Sequence, residues 1–358
     1  MKFYFIPFLI FTLNLQAQIE PGFDRDEYIQ LLEITQQQAD TFITKVNLPW
    51  PQGAERLYQS ERMGLENAWE FWLREDGVGI ISVHGTKPLY WSWMENFYSG
   101  MVPANGKWQI NNQYVFDYKL SADSNAYVHA GWLSGLAYLG PDILEKITKY
   151  SNEGVSDFII IGHSQGGAIA FLLNSWLHYL PEGSLSENIR FKTYCSAAPK
   201  PGNQYYAYDF EYINYGGWAH RIVHSEDWVP EMPITIQTAQ DINERSPLNM
   251  ADEGFKQLGV VKRIAMRSVY NGLNRSVDKA RDKFIKTLAY RMYGLIAENQ
   301  TELSEPEYAE SMAYMTCGTP IILRPDPNYS DYLELEMDME FIHHTMAAYA
   351  RCAAVLPE

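Results

Sequence analysis

The stretch "DFIIIGHSQGGAIAF", residues 157–171, decides the fold of this chain. Residues 158–161 are apolar, mostly β-branched and uninterrupted by polar side chains, which is typical of a central parallel strand buried on both faces. After the turn, apolar residues recur at helical spacing until the sequence Pro-Glu-Gly at 181–183 ends the pattern. The stretch therefore predicts a strand, a sharp turn and a helix, with Ser164 at the apex of the turn.

Two glycines, Gly162 and Gly166, flank Ser164 at a distance of two residues on either side. Strand and helix approach so closely at such a turn that a side chain at either glycine would clash. The serine is then held in a strained conformation with its hydroxyl above the sheet, which presents a nucleophile. The alternative interpretation is an ordinary glycine-rich turn, and the pattern Gly-x-Ser-x-Gly alone is weak evidence against it.

The composition indicates an ordered globular protein that is not a nucleic-acid binder. The chain has 358 residues, 46% of them hydrophobic, which is enough for a substantial core. The net charge of -16 disfavours a nucleic-acid partner. The three cysteines, Cys195, Cys317 and Cys352, exclude a disulfide scaffold and a CxxC metal site. One bridge between Cys317 and Cys352 and a set of buried free thiols both remain open.

The N-terminus has the pattern of a secretory signal peptide. Lys2 precedes the apolar run of residues 3–13, and "NLQAQ" follows it. We expect a signal peptide over residues 1–17 and one domain over residues 18–358. No segment reaches the ~20 apolar residues that a membrane helix needs. The sequence thus predicts a secreted or periplasmic protein without a transmembrane helix.

Strand and helix patterns alternate along the chain. A helix is predicted within residues 26–46, with Phe42 and Ile43 on its apolar face. The stretch "WEFWLREDGVGIISV", residues 69–83, has a hairpin signal at Asp-Gly, and "FKTYCSAAP" and "HRIVHSEDWVP" follow as strands that end in polar loops. This alternation predicts a mostly parallel central sheet flanked by helices. The exception is a helical insertion, about 246–312, before the last strand.

A serine nucleophile needs a base, an orienting acid and an oxyanion hole. In this type of fold the acid and then the histidine follow the serine, each at the carboxyl end of a strand. Asp227 is the best acid candidate because it directly follows a predicted strand, and Glu226 is the local alternative. Only His343 and His344 lie far enough along the chain to be the base. His129 and His163 are predicted to be buried hydrogen-bonding residues.

Several motifs in this order resemble the class 3 lipase family, the fungal-lipase type of α/β-hydrolase, from Trp69 to Ala350. They are "VHGT" (83–86), "VHAGW" (128–132), "GHSQGGAIA" (162–170), "SAAPKPGN" (196–203) and "DWVPEMP" (227–233). The family places its catalytic histidine ahead of an apolar residue two positions on and a tyrosine five positions on. His344 fits that spacing with Met346 and Tyr349, and His343 does not.

The resemblance implies a role for each site residue. Ser164 would be the nucleophile, Asp227 the acid that orients the imidazole, and His344 the general base and then acid. The oxyanion would bind the backbone amides of Gln165 and Thr86, with the Thr86 hydroxyl as a third donor. Such a site needs no cofactor and no metal ion. The chain departs from the family at residue 84, where histidine replaces the usual arginine.

The sequence therefore predicts a secreted serine hydrolase that cleaves carboxylic esters of lipids through an acyl-enzyme, as a triacylglycerol lipase does. A phospholipase A-type enzyme and a small-ester or aryl-ester esterase on the same fold are the alternatives. From a different class, a catalytically silent lipase-like binding protein would be expected to lack a triad member. The predicted partners are a lipid or other ester and, transiently, a lipid surface, with no obligate protein partner.

Two further segments bear on the substrate. Residues 255–292 hold ten Lys or Arg and two Asp, and an apolar stripe runs through them: Leu273, Val277, Ala280, Phe284, Leu288 and Leu295. The favoured interpretation docks the stripe on the core and pairs the cations with the acidic body. The other interpretation places this segment against an anionic lipid surface. Residues 86–100 resemble the family's lid and are rich in aromatic side chains, with core packing expected for at least one tryptophan.

Overall fold

The computed structural model describes residues 19–37, 46–246, 256, 259–335 and 341–357. Its strands are β1 (Ala54–Gln59), β2 (Trp69–Arg74), β3 (Gly79–Val83), β4 (Met101–Pro103), β5 (Asn105–Asn111), β6 (Tyr114–Lys119), β7 (Tyr127–His129), β8 (Asp157–His163), β9 (Arg190–Ser196), β10 (Ala219–His224) and β11 (Thr319–Leu323). Its α-helices are α1 (Arg25–Gln36), α2 (Tyr90–Phe97), α3 (Ala130–Asn152), α4 (Gln165–His178), α5 (Gln204–Ile213), α6 (Val260–Ile285), α7 (Met292–Ala297), α8 (Tyr329–Leu335) and α9 (Met346–Ala354).

Seven of the strands form one central sheet in the order β1-β2-β3-β8-β9-β10-β11. The strands from β3 to β11 in that order run parallel, and β1 and β2 complete the sheet as antiparallel neighbours. The predicted hairpin at residues 69–83 is β2 and β3, paired antiparallel. The predicted α/β-hydrolase architecture, a mostly parallel sheet flanked by helices, is confirmed.

Strand β8 is buried along its whole length because both faces of the sheet are covered. Phe158 and Ile160 point into a core shared with α3 and α4. Ile159 and Ile161 point to the other face, into a core shared with α1 and α9. The uninterrupted apolar run in the sequence is the direct consequence, since successive side chains of a strand alternate between the two faces.

The helical insertion consists of α6, a π-helical turn (Lys286–Arg291) and α7. The prediction that its whole apolar stripe packs on the core is wrong, because Leu273 is 65% exposed. Only the C-terminal part docks, where Phe284 and Leu288 pack against a cluster of Met101, Met312 and Tyr314. The helices end at Ala297 rather than near residue 312.

Several predictions lie outside the described residues. They are the signal peptide over residues 1–17 and the residues Phe42 and Ile43 of the predicted first helix. No helix in the described part of the chain has the length and apolar character to cross a membrane. Cys195, Cys317 and Cys352 are all buried free thiols, so the Cys317–Cys352 bridge is not formed.

Candidate active site

Ser164 occupies a strained turn between β8 and α4. Its backbone has φ 61° and ψ -128°, a region that residues with a side chain rarely adopt. The neighbouring glycines permit the turn. A Cβ atom on Gly162 would lie 2.1 Å from the Gly166 carbonyl oxygen, and one on Gly166 would lie 2.3 Å from that of Val83. Ser164 remains partly exposed at the carboxyl end of β8.

A buried hydrogen bond joins the predicted acid and base. The ring of His344 donates from Nδ1 to Oδ2 of Asp227 over 2.7 Å. The same carboxylate accepts from the Tyr349 hydroxyl at 2.7 Å and from the Val229 amide at 3.0 Å. Burial by itself raises the pKa of Asp227, but the His344 ring and these donors outweigh it and hold that pKa below its usual value. Asp227 is therefore an ionised anchor for the imidazole.

The alternative acid and base lie elsewhere. Glu226 is exposed and contributes its backbone amide to His224. His343 forms a 3.0 Å hydrogen bond through Nδ1 with the Tyr329 hydroxyl, away from Asp227. The structure thus brings together Asp227 and His344, the pair selected by the tyrosine spacing, and leaves their two neighbours outside the site.

A second hydrogen-bond chain holds the backbone of His344. Nε2 of His163 lies 2.7 Å from the His344 carbonyl oxygen, so it must be the protonated nitrogen of that ring. Nδ1 of His163 then accepts from Ser196, whose hydroxyl lies 2.6 Å from that of Tyr28 on α1. Burial lowers the pKa of His163 to about 3, which keeps the ring neutral. His163 is a buried hydrogen-bonding residue, as predicted.

The predicted oxyanion-hole residues both line the cavity beside Ser164. Gln165 is the first residue of α4, and a backbone N–H in the first turn of a helix has no intrahelical acceptor. Thr86 accepts a 2.9 Å hydrogen bond on Oγ1 from Asn96, so its own hydroxyl hydrogen is available to another acceptor.

His129 donates from Nε2 to the Asn96 carbonyl at 3.2 Å, and burial lowers the pKa of His129 to about 3.

The cavity has a volume of about 370 Å³, and Ser164 and His344 are among its lining residues. Eleven of its 26 lining residues have aromatic or aliphatic side chains: Trp93, Phe97, Trp132, Trp228, Val229, Met232, Ile234, Phe284, Leu288, Phe341 and Met346. Of these, Trp93 and Phe97 belong to α2, the segment that resembles a lid, while its Trp91 packs against the core. Phe284 and Leu288 come from the helical insertion.

Three supporting residues were not found from the sequence. In the sequence, Tyr349 serves only to choose between His343 and His344. In the structure its hydroxyl also donates a hydrogen bond to Asp227. Asn96 and Ser196 connect the oxyanion loop and His163 to the rest of the site, and no motif marks them. The spacing of five residues from His344 is a sequence signal for Tyr349, because it places the tyrosine one helical turn into α9.

No group of three or more His, Cys, Asp or Glu side chains able to hold a metal ion occurs in the part of the chain that the structure describes. His84, at the position of the usual arginine, is buried, and its pKa falls to about 3 because of that burial and nearby cations. It does not line the cavity.

A mostly parallel sheet with a serine elbow after β8 and a buried Asp–His pair later in the chain defines the α/β-hydrolase fold. Over residues 80–237 the chain matches the sequence model of the family Lipase (class 3). The resemblance deduced from the motifs is therefore confirmed.

Solved structures similar to the chain include fungal lipases. The native Rhizomucor miehei lipase propeptide complex is 16% identical, with a TM-score of 0.40 over 58% of this chain and 63% of that one. Lipase II from Rhizopus niveus is 22% identical, with a TM-score of 0.39 over 58% of this chain and 74% of that one. The chain spans less than two thirds of the length of the first structures that it matches. No curated protein matches it significantly.

Proposed function

We propose that this protein is an exported serine hydrolase that cleaves carboxylic esters of lipids. The observation that carries the proposal is the convergence of a strained Ser164 and an Asp227-anchored His344 on one apolar cavity. The match to the Lipase (class 3) model supports ester hydrolysis, and the aromatic and aliphatic lining supports an acyl chain as the group bound. The N-terminal sequence supports export.

In the proposed reaction, Ser164 Oγ attacks the ester carbonyl carbon while Nε2 of His344 takes the hydroxyl proton. Asp227 keeps the Nδ1 proton in place and stabilises the imidazolium that forms. The amides of Gln165 and Thr86, with the Thr86 hydroxyl, donate to the oxyanion of the tetrahedral intermediate. Its collapse breaks the ester C–O bond, and His344 returns the proton to the leaving alcohol. Water then repeats these steps on the acyl-enzyme and releases the acid.

Ser164→Ala and His344→Ala should each lower kcat by about 10⁴ or more, and the double variant should lose little beyond either, because the two groups act as a unit. The measurement is a chain-length series of chromogenic esters, together with labelling by a fluorophosphonate, which reacts only with an activated serine. His343→Ala is the matched control and should keep its activity. Loss of activity in His343→Ala with retention in His344→Ala would contradict the assignment.

The same series separates the alternatives. A preference for long acyl chains supports a lipase, cleavage of phospholipid acyl esters supports a phospholipase A-type enzyme, and a preference for the shortest or aryl esters supports an esterase. A folded wild type that neither hydrolyses any ester nor accepts the fluorophosphonate would mean a catalytically silent binding protein.

A further inference from the structure

The N-terminal part of α6 exposes apolar side chains. Six large ones between residues 260 and 273 are 47% to 82% exposed: Val260, Val261, Ile264, Met266, Val269 and Leu273. Exposed apolar side chains that are scattered singly are ordinary, but a contiguous group on one element marks an interaction surface. We refer to residues 260–277 as the projecting segment of α6.

An apolar stripe connects this segment with the catalytic cavity. Met266, Val269 and Leu273 are spaced three and four residues apart, so they share one face of the helix. The same spacing continues through Val277 and Ala280, which are half-buried, to Phe284, which lines the cavity. The helix is fixed to the body at Arg281, which is buried and paired with Gln240 and Asp282. One face of one helix therefore runs from solvent into the cavity wall.

The charge of the projecting segment is opposite to that of the whole protein. Residues 260–277 contain four Lys or Arg and no Asp or Glu, in a chain whose net charge is -16. Among the cations, Lys262 and Arg275 are exposed. A helix with an apolar face flanked by cations and without carboxylates has the composition of helices that lie in the interface of an anionic lipid layer.

We propose that the projecting segment of α6 docks the protein on an anionic lipid surface. Charge complementarity selects this partner, and the continuity of the stripe with the cavity selects lipid rather than a protein surface. The apolar face enters the interface, the cations contact lipid phosphates, and Phe284 and Leu288 lie where an acyl chain enters the cavity. The inference rests on the proposed function only in that the cavity receives a lipid ester.

The test is binding of the full-length protein to vesicles, sedimented with and without anionic phosphatidylglycerol in phosphatidylcholine. All proteins carry Ser164→Ala so that vesicles are not consumed. One added triple variant is Met266→Gln, Val269→Gln and Leu273→Gln. The matched control is Tyr208→Gln, Tyr212→Gln and Tyr215→Gln, three exposed residues in and directly after α5. We expect the α6 variant to bind anionic vesicles at least tenfold more weakly, and the control to bind as the parent does.

The charge contribution is tested with Lys262→Gln and Arg275→Gln. At low salt each should weaken binding to anionic vesicles by roughly fivefold, with little effect on phosphatidylcholine vesicles. Unchanged binding in the triple variant, or equal loss in the tyrosine control, would overturn the proposal. Unchanged vesicle binding accompanied by loss of a dimer in sedimentation would assign the surface to a second copy of the chain.

Failure of the docking proposal is distinguishable from failure of the proposed function. Each α6 substitution is also made with Ser164 intact and assayed on a soluble short-chain ester, whose hydrolysis should be unchanged. Ester hydrolysis without α6-dependent vesicle binding refutes the docking alone. Vesicle binding that depends on α6, in a protein that hydrolyses no ester, refutes the proposed function alone.

Discussion

At the scale of single residues, hydrogen bonds from specific donors to specific acceptors define the candidate site. The Asp227 carboxylate accepts from His344, Tyr349 and the Val229 amide, so it has donors enough to stay ionised although it is buried. The neutral ring of His163 fixes the position of the His344 backbone. His344, the proposed base, is thus oriented through both its side chain and its main chain, which is what a general base in a triad requires.

Thr86 offers a residue-scale prediction about the oxyanion hole. Because Asn96 already donates to Oγ1, the Thr86 hydroxyl can only donate its hydrogen elsewhere, and the oxyanion position is the acceptor we propose. Thr86→Ser keeps the hydroxyl donor and should change kcat only slightly. Thr86→Val removes it with little change of shape and should lower kcat by up to about 10² to 10³. Steady-state kinetics on a soluble ester measure the effect.

Thermal unfolding of both Thr86 variants provides the control. A Thr86→Val protein that is fully active would remove the hydroxyl from the mechanism and leave only the amides. A variant that loses activity and its cooperative unfolding transition together would show that Thr86 has a structural role instead.

At the scale of elements, α2 is coupled to the elbow through a buried carboxyl group. Glu95 of α2 accepts a 2.5 Å hydrogen bond from Asn67 and contacts Gln165, the residue after Ser164. Ser92, also on α2, donates to the Gln165 side chain at 3.2 Å. Burial raises the pKa of Glu95 to about 8 despite these hydrogen bonds, so the folded protein holds this carboxyl protonated at neutral pH.

The raised pKa of Glu95 predicts a pH-dependent stability. A carboxyl whose pKa is higher in the folded state contributes its full stability below the unfolded value of 4.5. Between that value and about 8 the folded state binds the extra proton. The free energy of unfolding should therefore fall with rising pH, by up to roughly 1.4 kcal/mol per unit, and level off above pH 8. Glu95→Gln has no proton to lose and should abolish this slope.

Urea unfolding of wild type and Glu95→Gln between pH 5 and pH 9 measures the difference. Other groups titrate equally in both proteins, so the informative quantity is the difference between the two curves, not either curve. A difference that is independent of pH would mean that Glu95 is ionised in the folded protein and that the hydrogen bond from Asn67 and the contact with Gln165 outweigh burial.

Elements differ in how far the sequence predicts them. The sequence signals for strand β8, the turn and the start of α4 are local, because fifteen consecutive residues, 157–171, contain both the apolar pattern and the glycines. The Asp227–His344 pair spans 117 residues. It was predicted because the fold imposes an order on serine, acid and histidine, and because the tyrosine spacing of the resembled family selects His344 over His343. The Tyr28–Ser196 contact spans 168 residues and follows no such order. The sequence also indicated the apolar stripe of α6. It did not indicate which part of the stripe is buried, because that depends on where the helix contacts the rest of the protein.

At the scale of the whole molecule, the three free thiols have to be reconciled with the proposed export to an oxidising compartment. Cys195, Cys317 and Cys352 are all buried. Burial raises the pKa of Cys352 to about 11 and that of the other two well above the ordinary value. Since the thiolate is the form that reacts, all three should resist oxidation as long as the protein is folded. Export therefore does not require a disulfide.

This argument predicts the outcome of thiol titration with Ellman's reagent. The native protein should react negligibly, and the protein unfolded in guanidinium chloride without reductant should release three equivalents per chain. Dithiothreitol should leave the unfolding temperature unchanged, because no bridge constrains the unfolded chain. Cys195→Ser is the control and should lower the count in the unfolded state by one. A single reactive thiol per unfolded chain, with an unfolding temperature lowered by dithiothreitol, would mean that two of the cysteines are bridged and that the bridge, rather than burial alone, stabilises the protein.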